Sequence, residues 1–436
     1  MKNSQSQQDL QKETTEVTAV APKKKVGSSS IQTILIPLLA VLTGLLIGAI
    51  VVIVTNLDVL AAWKNFFVDP LSALSASWNA IAVAYGSLFN GAFGNPTTIV
   101  AGFSQWFSTG DSSALVKSIY PFTESLTAST PYIIAGLALA IGFKAGLFNI
   151  GAEGQFLLGA LTSAYVGYSI VGLPAYIHIP LALLAGAAGG ALWAFLPGFL
   201  KARVGAHEVV TTIMMNYISY ALSSWLLNGP MKAPGYRPLT PVIENSAMLP
   251  RFFADPLRFN WGFFLALAIA VFVYWLLFKT TLGFEIRAVG SNPNAAKYAG
   301  MNIVRNTVTV MLISGGLAGL AGAVQVLGVD HWVSQGYSSG YGFNSIAVAL
   351  LGNSHPLGVV LAALLFGFLT SGATRMQSMA GIPISIISVI QGLVIIFVAA
   401  PAIIRALYHV HSAKKETPLP SHETGKPVPT SQSTKP

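Results

Sequence analysis

The sequence predicts an all-α membrane protein with about ten transmembrane helices, one of them short or re-entrant. Of its 436 residues 53% are hydrophobic and only 9% are charged, whereas about 25% of a typical soluble domain is charged. The mean hydropathy is +0.64, and apolar segments long enough to cross the hydrocarbon core recur along the chain. These features exclude a disordered protein and argue strongly against a soluble globular enzyme.

The first third of the chain contains one clear span. Residues 1–30 are polar and predict a disordered tail. The apolar stretch 34–54 follows it, is too long for a signal-peptide core and has no A-x-A-like cleavage site, so it is predicted to remain as the first span. Residues 56–120 hold tryptophans and charges without a clean 20-residue apolar run. They predict an extracytoplasmic insertion with amphipathic helices near the membrane interface.

Nine further spans are predicted from residue 122 onward, within a transmembrane domain that covers 31–405. The segment at 342–353 is the short one, and residues 406–436 predict a second disordered tail. The spans are expected at 123–142, 153–171, 178–198, 208–228, 261–278, 306–328, 342–353, 357–373 and 384–402.

The distribution of charge predicts that both termini are cytoplasmic. With the N-terminus inside, 17 of the 24 Lys and Arg residues fall on inner segments and 7 on outer ones, as the positive-inside rule requires. The net charge of +9 therefore indicates topology, and we expect no nucleic-acid partner.

Sequence motifs of common catalytic and metal sites are missing. The chain has no cysteine, which excludes disulfides, thiolate metal sites and a cysteine nucleophile. His207-Glu208 lacks the second histidine of a zinc motif, and no glycine-lysine phosphate loop occurs. We expect no enzymatic activity, no metal and no cofactor held by this chain.

Polar residues interrupt the apolar pattern between the second and third spans. The stretch Gly142–Gln155 places Asn149, Glu153 and Gln155 among four glycines. A carboxylate at membrane depth usually faces protein or a water-filled cavity, and an unwound backbone there must be buried or line a cavity. A plain cytoplasmic turn, with Glu153 near a helix N-terminus, explains the same residues equally well.

Two clusters of small residues predict close helix packing. Gly186–Gly190 and Gly315–Gly322 place their glycines and alanines on one helix face, which lets neighbouring helices approach each other.

The inner loop 279–305 predicts a short helix that projects from the membrane. Asn292 or Ser291 can cap it, Pro293 suits its first turn and Gly300 can end it. Such a helix would expose Ala295, Ala296 and Ala299 as a flat surface for docking, although a simple connecting loop is an equally good interpretation.

Three stretches together resemble a known family. They are 143–155 (FKAGLFNIGAEGQ), 287–296 (RAVGSNPNAA) and 340–352 (GYGFNSIAVALLG). The chain from about Tyr120 to Ala402 is similar to the permease subunits of bacterial ABC importers of the branched-chain amino acid and ribose permease family, and within it to those of nucleoside importers. The resemblance implies a type II ABC importer-like permease in the bacterial cytoplasmic membrane.

The resemblance also implies partners and roles. ATP would be bound and hydrolysed by separate cytoplasmic ATPase subunits, a second permease subunit (the same or a related chain) would complete the pathway, and an extracytoplasmic lipoprotein would deliver the nucleoside. The 279–305 loop would be the coupling loop. Residues expected to contact the ATPase are Glu285, Arg287, Asn292, Ala295, Ala296 and Gly300.

Pathway residues are expected in the first and third stretches. Amide and carboxylate groups suit the hydrogen-bonding edges of a nucleoside, and an aromatic ring such as Phe343 can stack on the base. The expected pathway residues are Asn149, Glu153, Gln155, Asn344, Phe143 and Phe148.

Other functions remain open at this point. A sugar or branched-chain amino acid permease would show the same pattern. A secondary transporter coupled to ions would use Glu153 or Asp330, and a membrane scaffold would need no pathway.

Overall fold

The computed structural model describes residues 28–399, 403–404 and 407–408, and this part of the chain is almost entirely helical. The tails predicted at 1–30 and 406–436 lie outside it except for residues 28–30 and 407–408. The helices are α1 (Ser28–Thr55), α2 (Leu57–Lys64), α3 (Pro70–Phe93), α4 (Pro96–Thr109), α5 (Ser113–Lys144), α6 (Ala152–Ser169), α7 (Ala175–Val204), α8 (Glu208–Asn228), α9 (Gly262–Lys279), α10 (Thr281–Ser291), α11 (Pro293–Tyr298), α12 (Ile303–Gln325), α13 (Tyr341–Leu351), α14 (Pro356–Ala380) and α15 (Ile384–Ala399).

Six of the described helices are long and apolar enough to cross a membrane: α1, α5, α7, α9, α12 and α14. Each of the ten predicted spans overlaps a helix in the sequence, but the prediction of about ten crossings is not confirmed. The shortfall has physical reasons. Helices α6 and α8 carry buried polar residues such as Glu153 and Asn216, while α13 and α15 have only 11 and 16 residues.

The closest helix packing is found among α6, α7 and α12, which touch backbone to backbone. A Cβ atom added to Gly159 of α6 would lie 2.2 Å from the Cα of Gly319 in α12, and one added to Gly190 of α7 would lie 2.3 Å from the carbonyl oxygen of Gly315. Only glycine permits such approaches. The packing role predicted for the two small-residue clusters is confirmed by these contacts.

The 56–120 insertion forms three helices that pack on the rest of the bundle. A Cβ on Gly372 of α14 would lie 2.4 Å from the carbonyl oxygen of Leu88 in α3, and one on Gly102 of α4 would lie 2.9 Å from the Cα of Leu115 in α5. The insertion therefore packs against α14 and α5 through α3 and α4, and its side of the membrane remains a prediction.

The chain between α12 and α14 contains the short helix that was predicted at 342–353. Helix α12 ends in a widened turn over Val326–Asp330, residues 331–340 are non-helical, and α13 follows. At 1.5 Å per residue α13 is about 16 Å long, or about half of the hydrocarbon thickness.

Candidate functional site

The turn between α5 and α6 is a closed network of side-chain amides. Asn149 Nδ2 donates to Gln155 Oε1 at 2.9 Å, and Gln155 Nε2 donates back to Asn149 Oδ1 at 3.1 Å. Asn149 Nδ2 also donates to Ser314 Oγ at 3.0 Å, and the Gly151 N–H donates to Asn149 Oδ1 at 3.0 Å. Both amides are buried, so the network satisfies them inside the protein.

Glu153 joins the first turn of α6 to the start of α13. Its Oε1 accepts the Gly340 N–H at 2.8 Å, while its Oε2 accepts the Gly342 N–H at 2.7 Å and the Phe343 N–H at 3.3 Å. The side chain is 2% exposed. A carboxylate is favoured at a helix N-terminus, where backbone N–H groups lack helical partners. Glu153 therefore pins α13 to α6.

Close backbone packing reinforces this link. A Cβ on Gly342 would lie 2.2 Å from the Glu153 nitrogen. Asn216 of α8 adds a third helix, because its Oδ1 accepts the Gly154 N–H at 2.9 Å and its Nδ2 donates to the Ile150 carbonyl at 3.0 Å. We call Asn149, Glu153, Gln155, Asn216 and Gly342 together the Glu153 junction.

The junction changes how the expected pathway residues are interpreted. In the described conformation each side-chain polar atom of Asn149, Glu153 and Gln155 has a protein partner, so none is presented to a solute. The polar side chains of the turn are therefore buried in protein and do not line an open cavity. Asn344 is half-buried and donates to the Tyr132 hydroxyl at 3.4 Å.

Two of the expected aromatic residues pack on each other. Phe143 and Phe148 stack on each other with ring centroids 5.0 Å apart, and both are half-buried. Phe343 is exposed, next to the backbone that Glu153 holds.

The loop after α9 forms a helical unit (residues 280–300), which we call the coupling unit after the role that the resemblance implies for it. Asn292 caps α11 by accepting the N–H groups of Asn294 and Ala295, each at 3.1 Å. Pro293 occupies the first turn, and Gly300 has a φ of 84°, in the left-handed region that glycine tolerates. The predicted capped helix is confirmed.

The predicted flat alanine surface is wrong for Ala296. This residue is only 4% exposed, while Ala295 and Ala299 are exposed. The chain turns back after Gly300, and the Met301 N–H donates to the Ala296 carbonyl at 3.0 Å. The return toward α12 therefore covers the face of α11 that carries Ala296, and this side chain is not available to a partner.

Two aromatic residues of the coupling unit were missed by the sequence reasoning. Tyr298 is 95% exposed and Phe284 is 57% exposed. The small residues around them form the more regular pattern, although an aromatic residue in a polar loop is itself a signal of a contact surface.

The coupling unit is fixed to the membrane helices at its base. The Arg287 guanidinium lies 5.2 Å from the ring centroid of Phe278 in α9, a cation–π distance. A Cβ on Gly290 would lie 2.1 Å from the Lys144 carbonyl oxygen, and one on Gly146 would lie 3.4 Å from Gly290. Helix α10 thus touches the turn that leads into the Glu153 junction. Glu285 is half-buried on the same helix.

A polar cavity of about 430 Å³ lies between α5 and α14 and was not predicted. Glu124 and Arg258 pair across it through two hydrogen bonds. Its walls also include Tyr120, Tyr341 and Arg375. Elsewhere in the described part of the chain, no group of three or more His, Cys, Asp or Glu residues is placed to hold a metal ion.

Comparison with known proteins defines the class. The family model for the permease component of branched-chain amino acid transport systems matches residues 122–399. The chain belongs to this family of membrane transport proteins, whose members are permease components rather than enzymes.

Individual relatives refine this assignment. The chain is 39% identical to the guanosine ABC transporter permease protein NupP of Bacillus subtilis, over 85% of this chain and 94% of that protein. It is 37% identical to the nucleoside ABC transporter permease protein NupB of Lactococcus lactis, over 75% of this chain and 91% of that protein. It is 38% identical to the glucose ABC transporter permease protein TsgB13 of Haloferax volcanii, over 65% of this chain and 77% of that protein. No solved structure matches the chain.

Proposed function

We propose that the chain is the permease subunit of an ABC importer for nucleosides. The observation that carries the proposal is the similarity to a guanosine permease along nearly the whole of that protein. A second nucleoside permease is also similar over most of its length. The chain supplies the membrane pathway and binds no cofactor, and a separate cytoplasmic ATPase binds and hydrolyses the ATP.

The coupling unit is the surface on which the ATPase docks. Exposed aromatic residues surrounded by polar groups are typical anchors of protein interfaces, and Phe284 and Tyr298 have this character. The exposed residues Asn292, Ala295 and Gly300 contribute the surrounding surface. Arg287 holds the base of the unit through its contact with Phe278, and the half-buried Glu285 lies on the same helix.

Movement of the coupling unit reaches the pathway through a short series of contacts. Gly290 of α10 lies against Lys144 at the end of α5. The next residues form the Glu153 junction, which holds α13 by its N-terminus. A tilt of α10 driven by the ATPase therefore shifts the anchor of α13.

An ABC importer needs two further partners besides the ATPase. A second permease subunit, identical or related, forms the other half of the pathway, and an extracytoplasmic lipoprotein delivers the nucleoside. Both termini face the cytoplasm, which places the coupling unit on the ATPase side.

One alternative solute has a specific observation behind it. The similarity to a glucose permease supports a sugar as second candidate. An ion-coupled mechanism has less support, because the Glu153 carboxylate accepts three backbone N–H groups and Asp330 accepts from Gln325 and Tyr337. Both Glu153 oxygens are thus occupied by the protein, and Oδ2 of Asp330 already accepts two hydrogen bonds.

Competition for uptake tests the solute class. The chain, its ATPase, its partner permease and its binding protein are reconstituted in proteoliposomes, and uptake of labelled guanosine is measured against excess nucleosides, glucose, ribose and leucine. Nucleosides alone are expected to compete. Competition by glucose or leucine, with none by nucleosides, would overturn the proposed solute.

A further inference from the structure

We propose that the non-helical segment Ser334–Gly340 and the adjoining face of α8 line the water-filled route of the solute through the membrane. This inference rests on the proposed function as a permease and assigns residues to its pathway. The segment descends from the outer ends of the helices to the middle of the bundle, and only its last residue, Gly340, belongs to a stretch that carries the family resemblance.

The inner end of the segment lies deep in the bundle. Gly340 donates to Glu153, on the first turn of α6. The neighbouring Gly154 bonds to Asn216, which is eight residues into α8, or about 12 Å at 1.5 Å per residue. The same junction contacts Ser314, which is eleven residues into α12, or about 17 Å. In a hydrocarbon core of about 30 Å, these depths are near the middle.

The outer end of the segment lies near the last turn of α8. The Gln335 N–H donates to the Pro238 carbonyl at 3.3 Å, and Gln335 Nε2 lies 3.4 Å from Ser224 Oγ. Ser224 is four residues before the end of α8 at Asn228. The seven residues therefore run beside the outer half of α8, antiparallel to it.

Non-helical backbone at membrane depth cannot face lipid. Lipid cannot satisfy exposed N–H and C=O groups, so such backbone is found only where it is buried in protein or lines a water-filled cavity. Gln335, Gly336 and Ser339 are exposed on the surface of this chain. Since they are neither packed inside the chain nor suited to lipid, the segment is expected to face water.

The surface formed in this way suits a neutral solute with a ring and hydroxyl groups. Tyr217 is 65% exposed, and its ring lies 6.3 Å from that of Tyr220 in an edge-to-face arrangement. These rings offer stacking surfaces, while Gln335 and Ser339 offer donors and acceptors. No residue of 217–224 or 334–340 is charged.

The pathway is incomplete in one chain. In this chain the surface formed by Ser334–Gly340 and α8 is open on one side, and a second permease subunit supplies the opposite wall of the pathway. Phe343 lies in the first turn of α13 and is exposed, so it extends this surface onto α13. The link from Glu153 to α13 therefore positions the inner end of the route.

Cysteine accessibility tests the proposal, because the chain contains no natural cysteine. Ser339→Cys and Gln335→Cys are introduced separately into the full assembled complex in membranes. Their reaction with a charged, membrane-impermeant methanethiosulfonate reagent is then measured. The matched control is Leu184→Cys in α7, which is 67% exposed on this chain but apolar in its surroundings and expected to face lipid.

Both pathway cysteines are expected to react at least about tenfold faster than Leu184→Cys, and guanosine is expected to slow the reaction of Ser339→Cys. Reaction of both at the rate of the control would overturn the pathway assignment, as would full uptake after complete labelling. The two proposals fail differently. Labelling of the cysteines does not require transport. Fast labelling without nucleoside uptake therefore refutes only the proposed solute. Nucleoside uptake without labelling refutes only this pathway.

Discussion

The Glu153 junction and the coupling unit are built from similar residues and are used in opposite ways. Both are rich in glycine, alanine and asparagine, and both belong to the stretches that carry the family resemblance. In the junction, the polar atoms of Asn149, Glu153 and Gln155 are buried and paired. In the coupling unit the side chains of Tyr298 and Phe284 are exposed.

The difference shows that residue type does not decide the role of a polar, glycine-rich stretch in this protein. Its surroundings decide it. The junction is enclosed by α6, α8, α12 and α13, whereas α11 contacts its chain on one face only. Substitutions in the junction should therefore damage the fold, while those on the exposed face of the coupling unit should damage only coupling.

The largest effect is expected from Glu153→Ala. It leaves the N–H groups of Gly340, Gly342 and Phe343 without their acceptor, and each unsatisfied buried group costs about 1–3 kcal/mol. We expect a loss of about 3 kcal/mol or more in the free energy of unfolding, seen as a strongly reduced melting temperature in detergent. Glu153→Gln, which keeps an oxygen acceptor, should lose less. Equal stability of Glu153→Ala and the wild type would remove the central role of the junction.

The next effect separates two adjacent alanines. Ala296→Arg forces a long charged side chain into a packed position, so about 2–3 kcal/mol of stability should be lost. Ala295→Arg places the same side chain on the exposed face and should leave the melting temperature unchanged, while it weakens binding of the ATPase. If the two variants have the same melting temperature, the assignment of the buried face of α11 is wrong.

A smaller effect is expected from Tyr298→Ala. Loss of an interface anchor costs about 2 kcal/mol, equivalent to an affinity for the ATPase about 30-fold lower, measured by titration of the detergent-purified subunits. The melting temperature of the isolated chain should not change, because the ring packs on nothing. Tyr176→Ala is the control, since that tyrosine is also exposed but lies at the far end of α7. An equal loss of affinity in the control would show that the coupling unit is not the contact surface.

The smallest effect is expected from Arg287→Ala. It removes the cation–π contact with Phe278, which contributes about 0.5–1 kcal/mol. We expect a slightly lower melting temperature and a moderate loss of nucleoside-dependent ATP hydrolysis. Arg287→Lys should recover part of both, and a failure of Lys to recover either would mean that the positive charge near Phe278 does not matter.

Local features were predictable from the sequence and long-range contacts were not. The helix positions follow from hydropathy, and the cap by Asn292 with the stop at Gly300 follows from the backbone preferences of these residues. The acceptor role of Glu153 joins residues nearly 190 positions apart, and no local pattern encodes such a pairing. The burial of Ala296 depends on how the chain returns to α12.

We propose that this chain moves a nucleoside across the membrane with ATP that a separate subunit hydrolyses. The most direct measurement is uptake of labelled guanosine into proteoliposomes that contain the whole complex, with ATP or a non-hydrolysable analogue on the ATPase side and with no ion gradient. We expect uptake with ATP, none with the analogue, and reduced uptake with Ala295→Arg. Uptake that continues without hydrolysable ATP, or that follows an imposed proton gradient, would contradict it.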